Sequence, residues 1–327
     1  MSPSFSISGS HAALVTPLEL TEACLATPAF RAIHHHQAPR QTTIVCPESQ
    51  TPLWQIHFSS ILSYPDKAST KELANLFRSH SFTSALLLDP SPAAKAMAKL
   101  PVAQRLGPAS EELKKLLTES IPPQEVTGPP QHRVTKFLDL AERLNCDPHS
   151  KMFFLAPSLP PRPLTPLALL APGSDFGPAA RWPIDRFVAL ARMLKENDFE
   201  IALSALPGHR EAAEELASQL KIEKIDFFHH VGLTLAELLA ILPTATCLIA
   251  SHSSLSHLAA HTGLPVVNLM GPHAPGTERP LGRIHASLTT HAECSPCRLR
   301  ECPLDHRCLE EITAEMAMSA VKSVTKN

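Results

Sequence analysis

The sequence predicts an α/β fold of two doubly wound, Rossmann-like domains facing one another across a cleft. Three observations predict it. Short apolar runs alternate with stretches of helical period from residue 12 onward, the alternation stops in a proline-rich segment at 156–166, and it then restarts and continues to residue 271. Apolar strands separated by helices belong to parallel sheets covered on both faces. A chain of 327 residues is long enough for two such domains.

In the first half, "AALV" (12–15), "TIVC" (43–46) and "SALLL" (84–88) read as short buried strands. Helical patterns follow at 20–33, 70–78, 93–99 and 132–145. The segment "APSLPPRPLTP" holds five prolines in eleven residues, which neither a helix nor a central strand accepts, and it reads as a linker. After it, "LALLAPG", "FEIALSAL", "TCLIAS" and "PVVNLMG" read as strands. "PIDRFVALARMLKEN", "HREAAEELASQLK", "LTLAELLAILPTA" and "SLSHLAAHTG" read as helices, with a short apolar segment "KIDFFHHV" between the second and third. The expected organisation is a first domain over 1–155, a linker over 156–166, a second domain over 167–309 and a final helix within 310–327 that packs back on the first domain.

Composition narrows the function classes. Lys and Arg number 29 against 31 Asp and Glu, a net charge of −2, so the chain lacks the basic excess of a nucleic-acid binder. No apolar run approaches the roughly eighteen residues needed to cross a bilayer. The first fifteen residues, "MSPSFSISGSHAALV", show neither a charged start nor an apolar core, so no signal peptide is expected and the expected location is the cytoplasm.

Ligands of open α/β sheets bind beyond the carboxyl ends of the strands, which directs attention to three segments. The strand at 167–171 ends in Pro172, Gly173, Ser174 and Asp175, and a loop leads to Arg181, Trp182 and Pro183 at a helix start, where backbone amides can hold an anion. Gly208 follows another strand, and Glu211 lies in the next helix's first turn, where an acid suits the helix dipole or accepts hydrogen bonds from a ribose. In the third, His252, Ser253 and Ser254 form a turn after "CLIAS", with Ser253 or Ser254 as helix cap and His257 one turn on. A serine-hydrolase elbow, G-x-S-x-G, is missing from "SHSSL". His257 and His261 have metal-ligand spacing, but Leu258, Ala259 and Ala260 between them do not make H-E-x-x-H.

Eight cysteines are unevenly placed. Cys24, Cys46, Cys146 and Cys247 stand alone as small apolar residues, while Cys294, Cys297, Cys302 and Cys308 follow a C-x2-C-x4-C-x5-C spacing. In a reducing compartment the four read either as ligands of a structural zinc or iron–sulfur group, bracing the loop after "GPHAPGTERPLG", or as metal-free thiols.

Together these segments resemble glycosyltransferase family 9, the lipopolysaccharide heptosyltransferases, in particular the heptosyltransferase II-like branch. "LTEACLATPAFRAI" is similar to the family's first helix. "APGSDFGPAARWP" resembles its P-G-A-x-x-G-P-A-K-R-W-P. "SHSSLSHLAAHTGLPVVNLMGP" resembles its D-[ST]-G-x-x-H-L-A-A-A-x-x-x-P-x-V-x-L-x-G-P, and "ECSPCRLRECPLDHRCLEEITAEMAMSAV" resembles its cysteine-bearing tail. The resemblance implies the two-domain GT-B architecture and inverting transfer of a heptose or related sugar from an ADP-sugar to a lipopolysaccharide inner-core acceptor. It implies that no metal or other cofactor is required. The first domain would present the acceptor and the base, and the second would hold the nucleotide-sugar. Glu22 stands at the base position. Gly173, Ser174, Asp175, Arg181, Glu211, His252, Ser253, Ser254, His257 and Gly271 fall on the donor side, with Trp182, Pro183 and Pro272 framing it. Work on such an acceptor places the enzyme in the cytoplasm, at or near the inner membrane surface.

Five positions depart from the family pattern. Its Gly-Asp pair is Thr21 and Glu22, its lysine before Arg-Trp-Pro is Ala180, its Asp is His252, and the glycine after the Ser/Thr is Ser254. The alternative these departures open is a catalytically impaired relative that binds nucleotide-sugar or acts as a scaffold.

Overall fold

The computed structural model describes residues 5–36, 41–124, 128–156 and 164–326. It separates into two compact units, Met1–Leu155 and Ala156–Asn327. Most of the expected linker, 157–163, lies outside the described residues.

The first unit runs β1 (His11–Val15), α1 (Leu20–His36), β2 (Gln41–Pro47), α2 (Thr51–Gln55), β3 (Ile61–Tyr64), α3 (Thr70–Phe77), β4 (Ser84–Leu87), α4 (Pro92–Met97), β5 (Gln104–Pro108), β6 (Glu119–Ile121) and α5 (Thr135–Arg143). Its six strands pair in parallel in the order β3-β2-β1-β4-β5-β6. The central strands β1 and β4 are buried along almost their whole length, as strands covered by helices on both faces must be. Ser69 and Glu72 cap α3 reciprocally, each side chain meeting the other's backbone amide.

The second unit runs β7 (Leu167–Ala171), α6 (Ile184–Glu196), β8 (Glu200–Ala205), α7 (Arg210–Ile222), β9 (Phe228–Val231), α8 (Leu235–Ile241), β10 (Cys247–Ser251), α9 (Ser254–His261), β11 (Val266–Leu269), α10 (Pro275–Glu278), β12 (His285–Leu288), α11 (Arg307–Glu310) and α12 (Ala314–Thr325). The parallel order is β12-β11-β10-β7-β8-β9. Counted from each unit's own first strand, both sheets follow the same doubly wound 3-2-1-4-5-6 order. Each therefore reverses direction between its first and fourth strands, and the crevice at that reversal is where such sheets receive ligands.

The sequence reading finds the central strands and longer helices and misses β3, β5, β6 and β12. All four are three to five residues long and lie on the outer parts of the sheets. The segment "KIDFFHHV" contributes β9, an edge strand whose first two residues are exposed. The last helix packs within its own unit, where Ala317, Met318, Val321 and Val324 share a core with Phe187 and Leu194 of α6 and with β10 and β11. Trp182 locks this arrangement: its ring is buried and its Nε1 donates to the Ile312 carbonyl at 2.9 Å.

Candidate functional site

In the second unit the reversal falls between β7 and β10, which pair from Cys247 with Ala168 through Ala250 with Ala171. The segments leaving these two strands, 172–175 and 252–254, are therefore neighbours. Ser174 Oγ donates to the His252 carbonyl at 2.7 Å and accepts from the Phe176 amide at 3.1 Å. Ser251 Oγ accepts from the Trp182 amide at 2.9 Å, which fixes the start of α6 against the end of β10. Ser174, His252, Ser253, Ser254 and His257 are all buried. The ten donor-side positions named from the sequence thus divide: Gly173, Ser174, Asp175, Arg181, His252, Ser253, Ser254, His257 and Gly271 follow or flank the ends of β7, β10 and β11, whereas Glu211 is exposed in the first turn of α7.

Asp175 has a different role from an open ligand contact. Its Oδ2 accepts from both the amide and the hydroxyl of Ser254 at the start of α9, at 2.6 and 2.7 Å, and its Oδ1 lies 3.0 Å from His209 Nε2. Burial alone would raise this carboxyl's pKa. The His209 ring and the Ser254 donors outweigh burial and hold it well below the ordinary carboxylate range. A carboxylate thus already occupies the first turn of α9, the place where a helix start would otherwise receive an anion.

Two polar atoms beside this turn are buried without a hydrogen-bond partner, Ser253 Oγ and Arg181 Nε. Buried polar groups are nearly always paired, so such atoms need an explanation, and a ligand is one. Ser253 adopts the extended geometry of a helix cap, but its side chain makes no capping bond. The glycines serve packing. A Cβ on Gly173 would lie 2.3 Å from the His209 Cβ, and one on Gly271 would lie 2.5 Å from Leu309 Cγ and 2.9 Å from Cys308 Sγ. Ala180, at the family's lysine position, is fully buried.

The third group lies beyond β10 and β11. His273 Nδ1 is 2.6 Å from Glu278 Oε2, and His252 Nε2 is 3.7 Å from the same oxygen. Arg298 Nε approaches the other oxygen of Glu278 at 3.4 Å. Burial again works against ionisation of Glu278, and the two imidazoles again outweigh it, leaving its pKa well below the ordinary range. The His252 ring lies 4.5 Å from that of His273, tilted by 45°, and packs edge-on against His257 at 5.8 Å.

The cysteine-bearing tail straps these loops. The Arg300 carbonyl accepts from the Ala179 amide at 3.1 Å, the Arg298 amide donates to the Pro272 carbonyl at 3.0 Å, and Ser295 Oγ donates to the Gly271 carbonyl at 2.6 Å. The tail is thus tied to the loops after β7 and β11 through backbone groups and a serine hydroxyl. The four cysteines are free thiols. Burial and the neighbouring Cys294, Cys297 and Cys302 push the Cys308 thiol up to about 11. A closed tetrathiolate site needs sulfurs roughly 3.8 Å apart. Among the described residues, the only set of three or more His, Cys, Asp or Glu with ligand atoms within 4.8 Å of one another is His252, His273 and Glu278. The sulfurs are not gathered to fit the expected zinc or iron–sulfur group.

Glu22 lies in the first turn of α1 in the first unit. Arg133 pairs with its Oε1 and Lys136 with its Oε2, and Arg133 also lies 3.6 Å from Glu19. The helices α1 and α5 pack together, which brings these cations to the carboxylate. The reversal of the first sheet lies nearby in sequence: the Leu18 amide, just after β1, donates to Asp89 Oδ2, just after β4, at 2.9 Å.

Sequence reasoning missed His209, Asn268, His273, Glu278 and Arg298. Two of them carried a local signal, since His209 follows Pro207 and Gly208 at a strand end and His273 follows Gly271 and Pro272. Glu278 and Arg298 reach the site only through the folding of α10 and the tail.

Residues 124–307 match the family model described as glycosyltransferase family 9 (heptosyltransferase). The chain is 28% identical over 164 residues to lipooligosaccharide heptosyltransferase 2 of Haemophilus influenzae, covering 49% of this chain and 47% of that protein. It thus spans about half the length of this curated relative. Solved structures match along nearly the whole chain. One is ADP-heptose lps heptosyltransferase II of E. coli, with a TM-score of 0.77, 18% identity and coverage of 96% of this chain and 98% of that one. Another is a family 9 glycosyl transferase from Veillonella parvula, with a TM-score of 0.81, 17% identity and coverage of 99% of both. The fold is the one these proteins share. Among the described residues, no helix is long and apolar enough to cross a membrane.

Proposed function

Because the chain belongs to glycosyltransferase family 9, we propose that it moves a heptose or related sugar from an ADP-sugar to a lipopolysaccharide inner-core acceptor, with inversion. The observation that carries this reading is the pair of buried, unpartnered polar atoms, Ser253 Oγ and Arg181 Nε, beside the reversal point of the second sheet. A sheet of this order receives nucleotides there, and a hydroxyl with a guanidinium suits a phosphate-bearing ligand. In this reading Ser253, His257 and Arg181 meet the donor, and Glu211 accepts from the ribose. Asp175 acts through Ser254, holding the turn rather than touching the donor.

Glu22 is the proposed base that takes the acceptor's proton as its oxygen attacks the anomeric carbon from the face opposite the diphosphate. Both its oxygens are paired, so it works once a cation gives way. Lys136, with a side chain 55% exposed, moves at less cost than Arg133, at 33%. The protein would act in the cytoplasm, at or near the inner membrane surface where such acceptors are built.

A second reading, a nucleotide-sugar-binding or scaffold relative without turnover, is favoured by the same pairing of Glu22 and by the apolar Ala180. The deciding experiment is transfer from ADP-heptose to heptose-deficient core, alongside calorimetric titration with ADP. Turnover supports the first reading. ADP binding without turnover of any nucleotide-sugar leaves the second, and neither binding nor turnover removes both.

A further inference from the structure

His273 and Glu278 have no part in the glycosyl-transfer reading, yet they are among the most enclosed polar side chains of the second unit. The side chains of His252, His273 and Glu278 are 7%, 1% and 8% exposed. Neighbouring strands bring them together: β10 and β11 pair to Ser251 and Leu269, so the segments that leave them run side by side. One imidazole nitrogen from each histidine and one carboxylate oxygen lie within 4.8 Å of one another. We propose that His252, His273 and Glu278 form a divalent metal site of the two-histidine, one-carboxylate type, binding a borderline cation such as Zn²⁺ or Fe²⁺.

The donor chemistry fits that class. Two imidazoles and one carboxylate with no thiolate suit Zn²⁺ or Fe²⁺, and three protein ligands leave a position open for an outside oxygen. Around a tetrahedral ion with bonds near 2.0–2.1 Å, ligand atoms stand about 3.3 Å apart. His252 Nε2 and Glu278 Oε2, at 3.7 Å, are already close to that separation. His273 Nδ1 and Glu278 Oε2, at 2.6 Å, are at hydrogen-bond distance and would open by a small side-chain rotation.

The surroundings support the ligands. Arg298 approaches Oε1 of Glu278 and donates to Thr277 Oγ1 at 3.5 Å, which anchors the outer carboxylate oxygen and leaves Oε2 turned to the histidines. Asn268 Nδ2 lies 3.3 Å from His252 Nδ1, and its Oδ1 accepts from Ser256 Oγ at 3.0 Å. Turning the amide over sets its oxygen against an Nδ1–H and its NH₂ against the serine oxygen, which frees the Nε2 lone pair for a metal. Ligating histidines usually carry such an outer partner on the second nitrogen. Of the two histidines only His252 has such a partner among the described residues, since His273 Nε2 is buried without one.

The test uses the full chain, stripped with chelator and titrated with Zn²⁺ alone, without nucleotide. The expected result is one equivalent bound per chain. His273→Gln and Glu278→Gln should each weaken binding by more than the roughly 10–100-fold that Asn268→Ala, an outer-partner change, should cause. Cys294→Ser with Cys302→Ser should leave it unchanged. The Co²⁺-loaded protein should show ligand-field bands without a thiolate charge-transfer band, a signature that does not depend on any variant folding. Less than a tenth of an equivalent of Zn²⁺ bound to the wild type, a thiolate band, or binding unaffected by both ligand variants overturns the site. Metal binding without turnover supports the site while removing the glycosyl-transfer reading. Turnover by a wild-type protein that binds less than a tenth of an equivalent of Zn²⁺ does the reverse.

Discussion

The Asp175 carboxylate caps helix α9 through Ser254, taking both its amide and its hydroxyl on a single oxygen. Ser253, the residue at the formal cap position, makes no such bond. The cap is thus supplied across the sheet reversal, from the loop after β7 to the helix after β10. Asp175→Ala should therefore destabilise the second unit by about 1–2 kcal/mol, the ordinary worth of a helix cap. The His209 contact adds little, because the Asp175 side chain is 42% exposed and solvent screens it. Urea unfolding measures the loss. A midpoint equal to that of the wild type would show that the cap does not hold the turn.

The same carboxylate gives a pH dependence. Its pKa is depressed in the folded state, so its contribution to stability is complete above the ordinary carboxylate pKa of about 4 and fades as pH falls toward the lower folded value. The melting temperature should be level from pH 7 to about 5 and fall below about 4. Asp175→Asn keeps the shape and removes the titration, so its curve should fall less steeply in acid. Parallel acid limbs in the two proteins would exclude Asp175 as a contributor.

What was legible in the sequence followed from burial. The strands β1, β4, β7, β10 and β11 are central or next to central and almost wholly apolar, so each announces itself as a short hydrophobic run. The missed strands β3, β5, β6 and β12 carry mixed or half-buried residues, and their pairing comes from the sheet beside them. The site divides in the same way. The turn at 252–254 was visible because it follows such a run. His273, Glu278 and Arg298 meet His252 only because β10 and β11 are adjacent and the tail folds back over their ends, which no local spacing encodes. The charge of Asp175 was visible, but its use as a cap for a helix 79 residues away was not.

The pairing of Glu22 with Arg133 and Lys136 makes two opposed predictions that separate a base from a structural ion pair. If Glu22 is the base, Glu22→Gln should lower kcat by about 10²–10⁴-fold with little change in the donor KM. Lys136→Met should leave turnover equal or higher, since it releases one oxygen. If the pair only joins α1 to α5, both substitutions should lower stability modestly and move kcat in the same direction. Steady-state rates with melting curves on the two variants distinguish the cases, and turnover unchanged in Glu22→Gln removes the base assignment.

Gly177 joins the donor-side loop to the cysteine-bearing tail, and its backbone permits no other residue without strain. Its φ of +114° lies in the region that side chains rarely adopt, and an added Cβ would stand 2.7 Å from the Arg300 carbonyl oxygen. That carbonyl accepts from the Ala179 amide, so it cannot withdraw without breaking the strap. Gly177→Ala should cost about 1–3 kcal/mol and should also weaken nucleotide binding, because Arg181 and Trp182 follow directly in the chain. Gly276→Ala is the control: it lies in the same region of the fold, and a Cβ there meets nothing within 4 Å. Equal stability and equal ADP affinity in Gly177→Ala and Gly276→Ala would show that the tail does not hold the loop in place.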